Sequence, residues 1–293
     1  MLLMVAYFSL ASDRAVEYVK MVAIVSSILT VFELLFPGEK QSLKSKLKGA
    51  YFWIAYILIT VALQLFIEQS LLINHYQPLF RLNLSELAQS QNSIYKIVGL
   101  LLLPFIPYLV SDFFYYWFHR LQHSNHFLWQ FHSVHHSLRE MSAFNDVHHF
   151  SEEIFRIPLM IIPLKVLVEI DIGETMALFI LLRGWGQLIH SNTSLNFGKL
   201  RHVFGDSHFH RIHHSRLKEH WGKNYSTAFP LWDVLFKTAY FPKKGEYPPT
   251  GLDYVSEPVN LQEFLFRPFS GKTVRSWSNL LPGVAKLKGK QFR

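Results

Sequence analysis

Histidines dominate the chemistry that this sequence offers. Of its 16 histidines, 15 lie between His119 and His220. Eleven of these are His190, which stands alone, and the members of the groups HRLQH at 119–123, HSVHH at 132–136, HH at 148–149 and HRIHH at 210–214. On a helix, residues at i, i+3 and i+4 share one face, so three of these groups each present two or three imidazoles together. Imidazole is a borderline ligand that suits Fe, Zn, Cu and Ni.

The number of imidazoles predicts two metal ions. One ion takes about four or five nitrogen ligands beside an open position, and eight to ten are on offer here. A pH-sensing patch is the alternative, but the neighbouring charges are mostly cationic and would repel a protonated cluster. We include His190 among the predicted ligands because its segment should return it to the same side of the protein as the other groups.

The composition excludes several other classes of protein. The absence of cysteine rules out disulfides, thiolate zinc sites and Cys-ligated iron–sulfur clusters. Only 17% of the residues are charged and 50% are hydrophobic, whereas soluble domains carry about 25% charged residues, so a membrane protein is indicated. Residues 199–293 hold 16 Lys and Arg against 7 Asp and Glu. With no nucleic-acid motif present, we expect this basic region to meet anionic lipid headgroups and not nucleic acid.

The elements that must position the histidines are membrane helices. Residues 21–36, 51–74 and 97–118 are apolar enough to be three transmembrane helices, and residues 1–13 are interpreted as a retained, membrane-associated helix. Residues 154–189 are interrupted by Pro158, Pro163 and Gly173 and have an acidic middle, which predicts a helical hairpin. The predicted fold is therefore an all-α integral membrane protein.

The lysines predict the orientation in the membrane. Four lysines between residues 40 and 48 follow the first predicted span and should stay cytoplasmic. Every histidine group then lies on the cytoplasmic face, in a helical layer that caps the membrane helices. We predict one multi-pass membrane domain over residues 1–293, with membrane helices at 1–118, a catalytic region at 119–240 and a basic tail at 241–293.

The motifs in residues 112–240 resemble a known family. The run DFFYYWFHRLQH, then LWQFHSVHHS, FHRIHHS and NYSTAFPLWDVLFKT, is similar to the fatty acid hydroxylase superfamily, also called the sterol desaturase family. Two departures concern the surroundings of the third histidine group. Asp206, Ser207 and His208 stand where many members have Thr-Pro, and Ser226 stands where they have Gly.

The resemblance implies a membrane-bound, non-haem di-iron oxygenase with O2 as co-substrate. It also implies that His149 is a ligand, because His149 and Glu152 match a His and Glu pair of the family, and it supports His190 through the His190–Asn192 element. The predicted ligands are His119, His123, His132, His135, His136, His149, His190, His210, His213 and His214. His148, His202 and His208 are held in reserve.

Several polar residues are predicted to orient the ligands. A ligating histidine usually donates its other N–H to a carboxylate or carbonyl group. Asp112 lies seven residues before His119, on roughly the same helical face, and a lone acid within a span is a functional candidate. The other candidates for this role are Asn145, Glu152, Asn192 and Asp233.

The expected partners are a lipid and an electron donor. The aromatic residues 113–118 and the predicted hairpin could line a path for an acyl chain, ether lipid, sterol or carotenoid. The sequence has no GxGxxG motif and no cysteine for a cluster of its own, so electrons must come from outside. The resemblance implies a ferredoxin or a cytochrome b5 with its reductase, which Lys243 and Lys244 could help to dock.

A zinc-dependent membrane hydrolase or a metal carrier is the alternative function. Zinc accepts nitrogen ligands readily, but neither HExxH nor HxxEH occurs, so the general-base glutamate of zinc proteases is missing. A carrier should place polar residues near the middle of several spans, whereas these histidines gather at one face. A bis-histidine haem protein would place paired histidines on facing helices at depth. Hydroxylation, desaturation and ether cleavage remain open as outcomes of the oxygenase reaction.

Overall fold

A computed structural model describes residues 12–70, 77–83, 85–102, 105–171 and 184–270. The described chain is mostly helical. It begins with two long helices, α1 (Ser12–Leu35) and α2 (Leu43–Ser70), which carry the first two predicted spans as far as Ser70. Residues 1–11 and 71–74, which belong to the predicted N-terminal helix and second span, lie outside the described residues.

The third predicted span lies in the helical stretch that carries the first histidine group. After α3 (Ser85–Ala88) come α4 (Ser93–Leu102) and α5 (Phe105–Ser124). The stretch Ser93–Ser124 is the one part of the described chain that is both long and apolar enough to cross a membrane, while Val22–Leu35 of α1 is a shorter apolar helix. A total of three spans therefore stays a prediction.

The structure of the predicted hairpin differs from the all-α expectation. Its first arm is α7 (Glu152–Arg156), a π-helical turn (Ile157–Ile161) and α8 (Ile162–Leu167), followed by a strand, β2 (Val168–Asp171). β2 pairs in parallel with β1 (Phe80–Asn83). Pro158 and Pro163 lack the N–H of a regular helix, so the turn between them widens. The expectation of a helix was wrong for Val168–Asp171, and residues 172–183 lie outside the described residues.

Short helices form the layer that holds the histidines. They are α6 (His126–His136), α9 (Trp185–His190), α10 (Ser207–His213), α11 (Leu231–Leu235) and α12 (Leu261–Phe266), with 3-10 turns at Gly198–His202, Lys218–His220 and Arg267–Ser270. The Asn125 side chain accepts hydrogen bonds from the first amides of α6, and Asp206 does the same for α10. These caps fix where α6 and α10 begin.

Two apolar cores join this layer to the long helices. The first contains Val22, Phe52, Trp53, Tyr56, Ile57, Val134, Val147 and Phe264. The second packs α5 against the π-helical turn and contains Phe118, Ile157, Met160, Ile161 and Leu164. Gly49 lets α2 approach closely, because a Cβ there would lie 2.5 Å from the carbonyl oxygen of Phe144. Packing thus fixes the site-bearing segments against α1, α2 and α5.

Candidate metal centre

Nine of the ten predicted ligands gather in two adjacent groups. The five-histidine cluster contains His119, His123, His132, His136 and His213, and the four-histidine cluster contains His135, His190, His210 and His214. Within each cluster, every histidine offers one ring nitrogen within 4.8 Å of the others. Eight of the nine side chains are buried, and His123 is half-buried.

Helix α6 divides its histidines between the clusters. His132 and His136 lie one turn apart and enter the five-histidine cluster, whereas His135 enters the four-histidine cluster. Neighbouring residues on a helix point about 100° apart, so adjacent histidines diverge. At the end of α10, His213 and His214 separate in the same way. The HxxHH spacing therefore places side by side two clusters of histidines, each of which could hold a metal ion.

Four nitrogens of the five-histidine cluster form a closed ring. The Nε2 atoms of His119 and His132 are 3.0 Å apart, and those of His132 and His136 are 3.1 Å apart. The Nε2 atom of His213 closes the ring, at 3.1 Å from His136 and 3.0 Å from His119. The Nε2 atom of His123, the fifth member, is buried and has no hydrogen-bond partner among the described residues.

Hydrogen bonds at the opposite ring nitrogens fix three of these imidazoles. His119 Nδ1 donates to the carbonyl of Tyr225 (2.7 Å), and His213 Nδ1 donates to that of Lys223 (2.8 Å). His132 Nδ1 lies 3.1 Å from the Glu152 carboxylate. These groups accept hydrogen bonds, so each imidazole carries its proton on Nδ1 and leaves a lone pair on Nε2.

The arrangement of lone pairs fits a cation. Burial lowers the pKa of His213 to about 3, and it lowers the pKa of His132 despite the opposing effect of Glu152, so both are neutral at pH 7. The lone pair of His119 therefore faces those of His132 and His213 at 3.0 Å, where no hydrogen bond can form. An ion held about 2.1 Å from two nitrogens at right angles sets them about 3.0 Å apart. The ring thus fits one metal ion.

The four-histidine cluster is less tightly fixed. His190 Nε2 lies 3.1 Å from Nε2 of both His135 and His210, and His214 Nε2 lies 3.1 Å from that of His210. His190 Nδ1 donates to the carbonyl of Gly186 at 2.7 Å. The Nδ1 atoms of the other three histidines are buried without a hydrogen-bond partner among the described residues. The spacing of the Nε2 atoms again suits a metal ion. One hydrogen bond at Nδ1 orients a histidine in this cluster, whereas three do so in the five-histidine cluster.

The tenth predicted ligand, His149, lies outside both clusters. Its Nε2 atom is 3.1 Å from the carbonyl oxygen of Leu265, and its Nδ1 atom accepts from the amide of Ser151. The reserve residue His148 lies closer to the metal centre, because its ring stacks on His135 with 3.9 Å between centroids. The structure therefore replaces His149 by His148 as the member of this pair beside the clusters. The other reserves, His202 and His208, lie in neither cluster.

Glu152 is the carboxylate that contacts the clusters. One of its oxygens lies 3.1 Å from Nδ1 of both His132 and His148, and it also accepts from the Gln122 amide at 2.6 Å. His132, His148 and Glu152 form a third group of possible ligands. Glu152 thus joins α5, α6 and α7 at one point, as expected of a residue that orients ligands.

Asp112 and Asp233 act on the backbone. Asp112 accepts from the amides of residues 227–229, with the two shortest bonds at 2.9 Å, and none of its hydrogen bonds reaches a histidine. Asp233 accepts from the amides of Tyr225 and Ser226 and from the hydroxyl of Thr238. The two aspartates therefore hold the segment whose carbonyl groups orient His119 and His213. Direct support of a ligand by Asp112, as predicted, is not what the contacts show.

The two predicted asparagines hold the chain around the site. Asn145 donates to the carbonyl of Glu140 at 2.6 Å. Asn192 is hydrogen-bonded to the backbone of Glu39 on both sides of its amide, and its own backbone amide donates to Glu33 at 2.9 Å. These contacts tie the segment after His190 to the end of α1. Neither asparagine side chain reaches a clustered histidine through these bonds.

Asn224 is a site residue that the sequence analysis missed. It adopts a left-handed backbone conformation (φ 57°) between Lys223 and Tyr225, the two residues whose carbonyls accept from His213 and His119. Asparagine tolerates this conformation better than most residues. The Asn224 side chain donates to the carbonyls of Phe209 and Tyr240 at 2.8 Å and accepts from the Tyr240 amide at 2.7 Å. The only sequence signal was its place in the run NYSTAF.

We expect Asn224→Ala to destabilise the protein by about 3 kcal/mol. The substitution leaves the backbone groups of Phe209 and Tyr240 without their hydrogen-bond partner, and alanine tolerates the left-handed conformation less well than asparagine. The five-histidine cluster should also bind its metal more weakly. Thermal unfolding of the metal-free protein and the rate of metal release to a chelator measure the two effects. Asn196→Ala is the matched control, since the Asn196 side chain is exposed and caps only the amide of Gly198. Equal losses in both variants would contradict the role assigned to Asn224.

Comparison with known proteins supports the family resemblance. Residues 105–238 match the family model described as fatty acid hydroxylase. Human alkylglycerol monooxygenase is 29% identical over 159 residues, which make up 53% of this chain and 35% of the human protein. No solved structure matches this chain. The resemblance predicted from the histidine groups is therefore confirmed over the region that carries both clusters.

Proposed function

We propose that this chain, whose residues 105–238 form a fatty acid hydroxylase domain, is a membrane-bound, non-haem di-iron oxygenase that hydroxylates a C–H position of a lipid. The observation that carries the proposal is the ring of neutral imidazoles whose lone pairs face one another at 3.0 Å. A cation between them relieves that repulsion. The adjacent four-histidine cluster provides for a second ion.

The donor sets favour iron over zinc. Imidazole nitrogens suit both metals, but structural zinc is almost always four-coordinate, and the first cluster offers five nitrogens. A zinc hydrolase also needs a carboxylate that is free to act as a base. In the described part of the chain, Glu152 is the carboxylate grouped with these histidines, and one of its oxygens already accepts three hydrogen bonds.

The proposed reaction consumes one O2, two external electrons and two protons. One oxygen atom enters the C–H bond of the lipid as a hydroxyl group, and the other leaves as water. When bound, the two irons supply the redox chemistry that activates O2 toward an unactivated C–H bond. The protein supplies the ligands listed above, fixes their orientation through Glu152 and the carbonyl groups, and buries the site.

The surroundings of the site support a lipid substrate. The described residues of α1, α2 and α4 expose large apolar side chains, among them Ile24, Leu34, Leu58 and Ile94, each at least 59% accessible. Such a surface suits contact with a bilayer. The name of the human relative points to alkylglycerols, which makes an ether lipid the first substrate to test. Acyl lipids, sterols and carotenoids are the other candidates.

The position in the membrane and the electron donor belong to the same proposal. The chain would cross the bilayer several times and hold the metal centre at the cytoplasmic face, where a ferredoxin or cytochrome b5 could reach it. Lys243 and Lys244 are exposed and could attract an acidic donor or anionic headgroups. Neutralising both lysines should then raise the donor concentration needed for half-maximal turnover at low salt.

We expect the purified protein to hold two irons per chain. The protein should be prepared in mild detergent from iron-supplemented cells, and its metals should be counted and examined by Mössbauer spectroscopy. Turnover of a hexadecyl glyceryl ether under 18O2, with reductant and a donor protein, should place one labelled oxygen atom in the product. One zinc per chain and no iron, with activity retained, would instead support a hydrolase.

A further inference from the structure

A cavity of about 120 Å³ adjoins the four-histidine cluster. His190, His210 and His148 form part of its wall, and Met160 and Ile161 contribute apolar surface. It therefore lies close enough to the proposed metal centre to hold the reactive end of a substrate under the proposed function, on which the following inference rests. A cavity of this size accommodates a small polar group of several non-hydrogen atoms.

Three residues that line this cavity carry buried polar atoms with no hydrogen-bond partner in the described structure. The atoms are Oδ1 of Asp146, Oε1 of Gln187 and Nε of Arg156. The three residues are 8%, 6% and 5% exposed, respectively. A buried polar atom without a partner costs about 1–3 kcal/mol, so a ligand that satisfies all three atoms would be stabilised. Two of them accept hydrogen bonds and one donates.

The charges around the cavity disfavour an anionic ligand. Arg156 is paired with Glu153 at 3.1 Å, so its positive charge is already compensated. Asp112, which also lines the cavity, is occupied by backbone amides. The oxygens of Asp146 and Gln187 would repel a carboxylate or a phosphate but would accept from hydroxyl groups. The cavity therefore suits a neutral ligand with hydroxyl groups.

We propose that this cavity binds the neutral, hydroxyl-bearing end of the lipid, with Asp146 and Gln187 accepting hydrogen bonds from hydroxyl groups and Arg156 donating one. The reacting C–H bond then lies near the polar end of the lipid, beside the four-histidine cluster. The chain selects an alcohol such as a glyceryl ether over a free fatty acid of the same length. Gln187 is thus a specificity-determining residue.

The test measures binding without turnover. The iron-loaded protein in detergent is titrated anaerobically with three lipids of equal chain length: hexadecyl glyceryl ether, the same ether with both hydroxyls methylated, and hexadecanoate. We expect the free diol to bind at least about tenfold more tightly than either of the others. Equal affinity for the diol and its methylated form would show that solvent alone satisfies the three atoms, and it would overturn the assignment.

Gln187→Met keeps the side-chain length and removes both polar amide atoms. It should weaken binding of the diol about tenfold and leave binding of the methylated ether unchanged. Gln262→Met is the matched control, because Gln262 is exposed on α12, away from the cavity. A loss of affinity for both lipids alike would count against the assignment. A protein that binds the diol selectively but never oxidises it would contradict the proposed reaction and still support the assignment of this cavity to the hydroxyl-bearing end of the lipid.

Discussion

His213→Ala is expected to reduce the iron content from two per chain toward one and to lower turnover by at least about a thousandfold. His213 Nε2 closes the nitrogen ring through contacts of 3.0 Å to His119 and 3.1 Å to His136. Its removal leaves three lone pairs in the ring around a site open on one side. The measurements are iron per chain by elemental analysis and product formed per enzyme under saturating donor.

His220→Ala is the control for this deletion. His220 is as buried as the cluster histidines and lies seven residues after His213, but it bonds to Ser215 and Glu246 and belongs to neither cluster. The His220→Ala variant should retain two irons per chain, and the substitution should lower only the thermal stability of the protein. If His213→Ala and His220→Ala retained the same iron and the same turnover, the five-histidine cluster would not be a metal site.

Glu152→Gln is expected to weaken metal binding about 10–100-fold and to lower turnover by a similar factor. The Glu152 carboxylate faces Nδ1 of His132 and His148 and the Gln122 amide, so all three neighbours present hydrogen-bond donors. The other carboxylate oxygen accepts from the backbone amide of His149 at 3.3 Å, so the NH2 group of a glutamine would face a donor in either orientation. The bond that keeps the lone pair of His132 on Nε2 would then be weakened or lost.

The rate at which a chelator removes iron from Glu152→Gln, relative to the unmodified protein, measures this effect. Glu140→Gln is the matched control, because Glu140 is half-buried, belongs to none of the groups of possible ligands, and its carboxylate accepts from Ser42 at 3.4 Å. We expect the control to release iron at the unmodified rate. Unchanged release from Glu152→Gln would mean that packing alone orients His132.

Much of the site could be predicted because its ligands repeat at helical spacing. HxxxH and HxxHH place imidazoles on one face whatever the helix packs against, and nine of the predicted ligands do lie in the two clusters. The choice between His148 and His149 could not be made in this way. Both are in a non-helical segment, where no periodicity indicates which ring turns toward the clusters.

The membrane hairpin shows the limit of composition as a guide. The apolar residues 154–189 predicted a hairpin of two helical arms, but the first arm widens between Pro158 and Pro163, and Val168–Asp171 pairs with Phe80–Asn83. The partner strand is about 90 residues away in sequence, so no local sequence pattern predicts the pairing. Tertiary context therefore overrides helix propensity in this segment.

The sequence by itself determined the donor chemistry of the proposed metal centre, because residue type and short-range spacing decide which donor atoms are present and which share a helix face. Only the tertiary structure decided how those donors divide into a group of five and a group of four. The tertiary structure also decided which backbone carbonyls accept the Nδ1 protons of the imidazoles. The carbonyls of Gly186, Lys223 and Tyr225 fix three imidazoles, and every residue has a carbonyl, so these acceptors are recognisable only once the chain has folded.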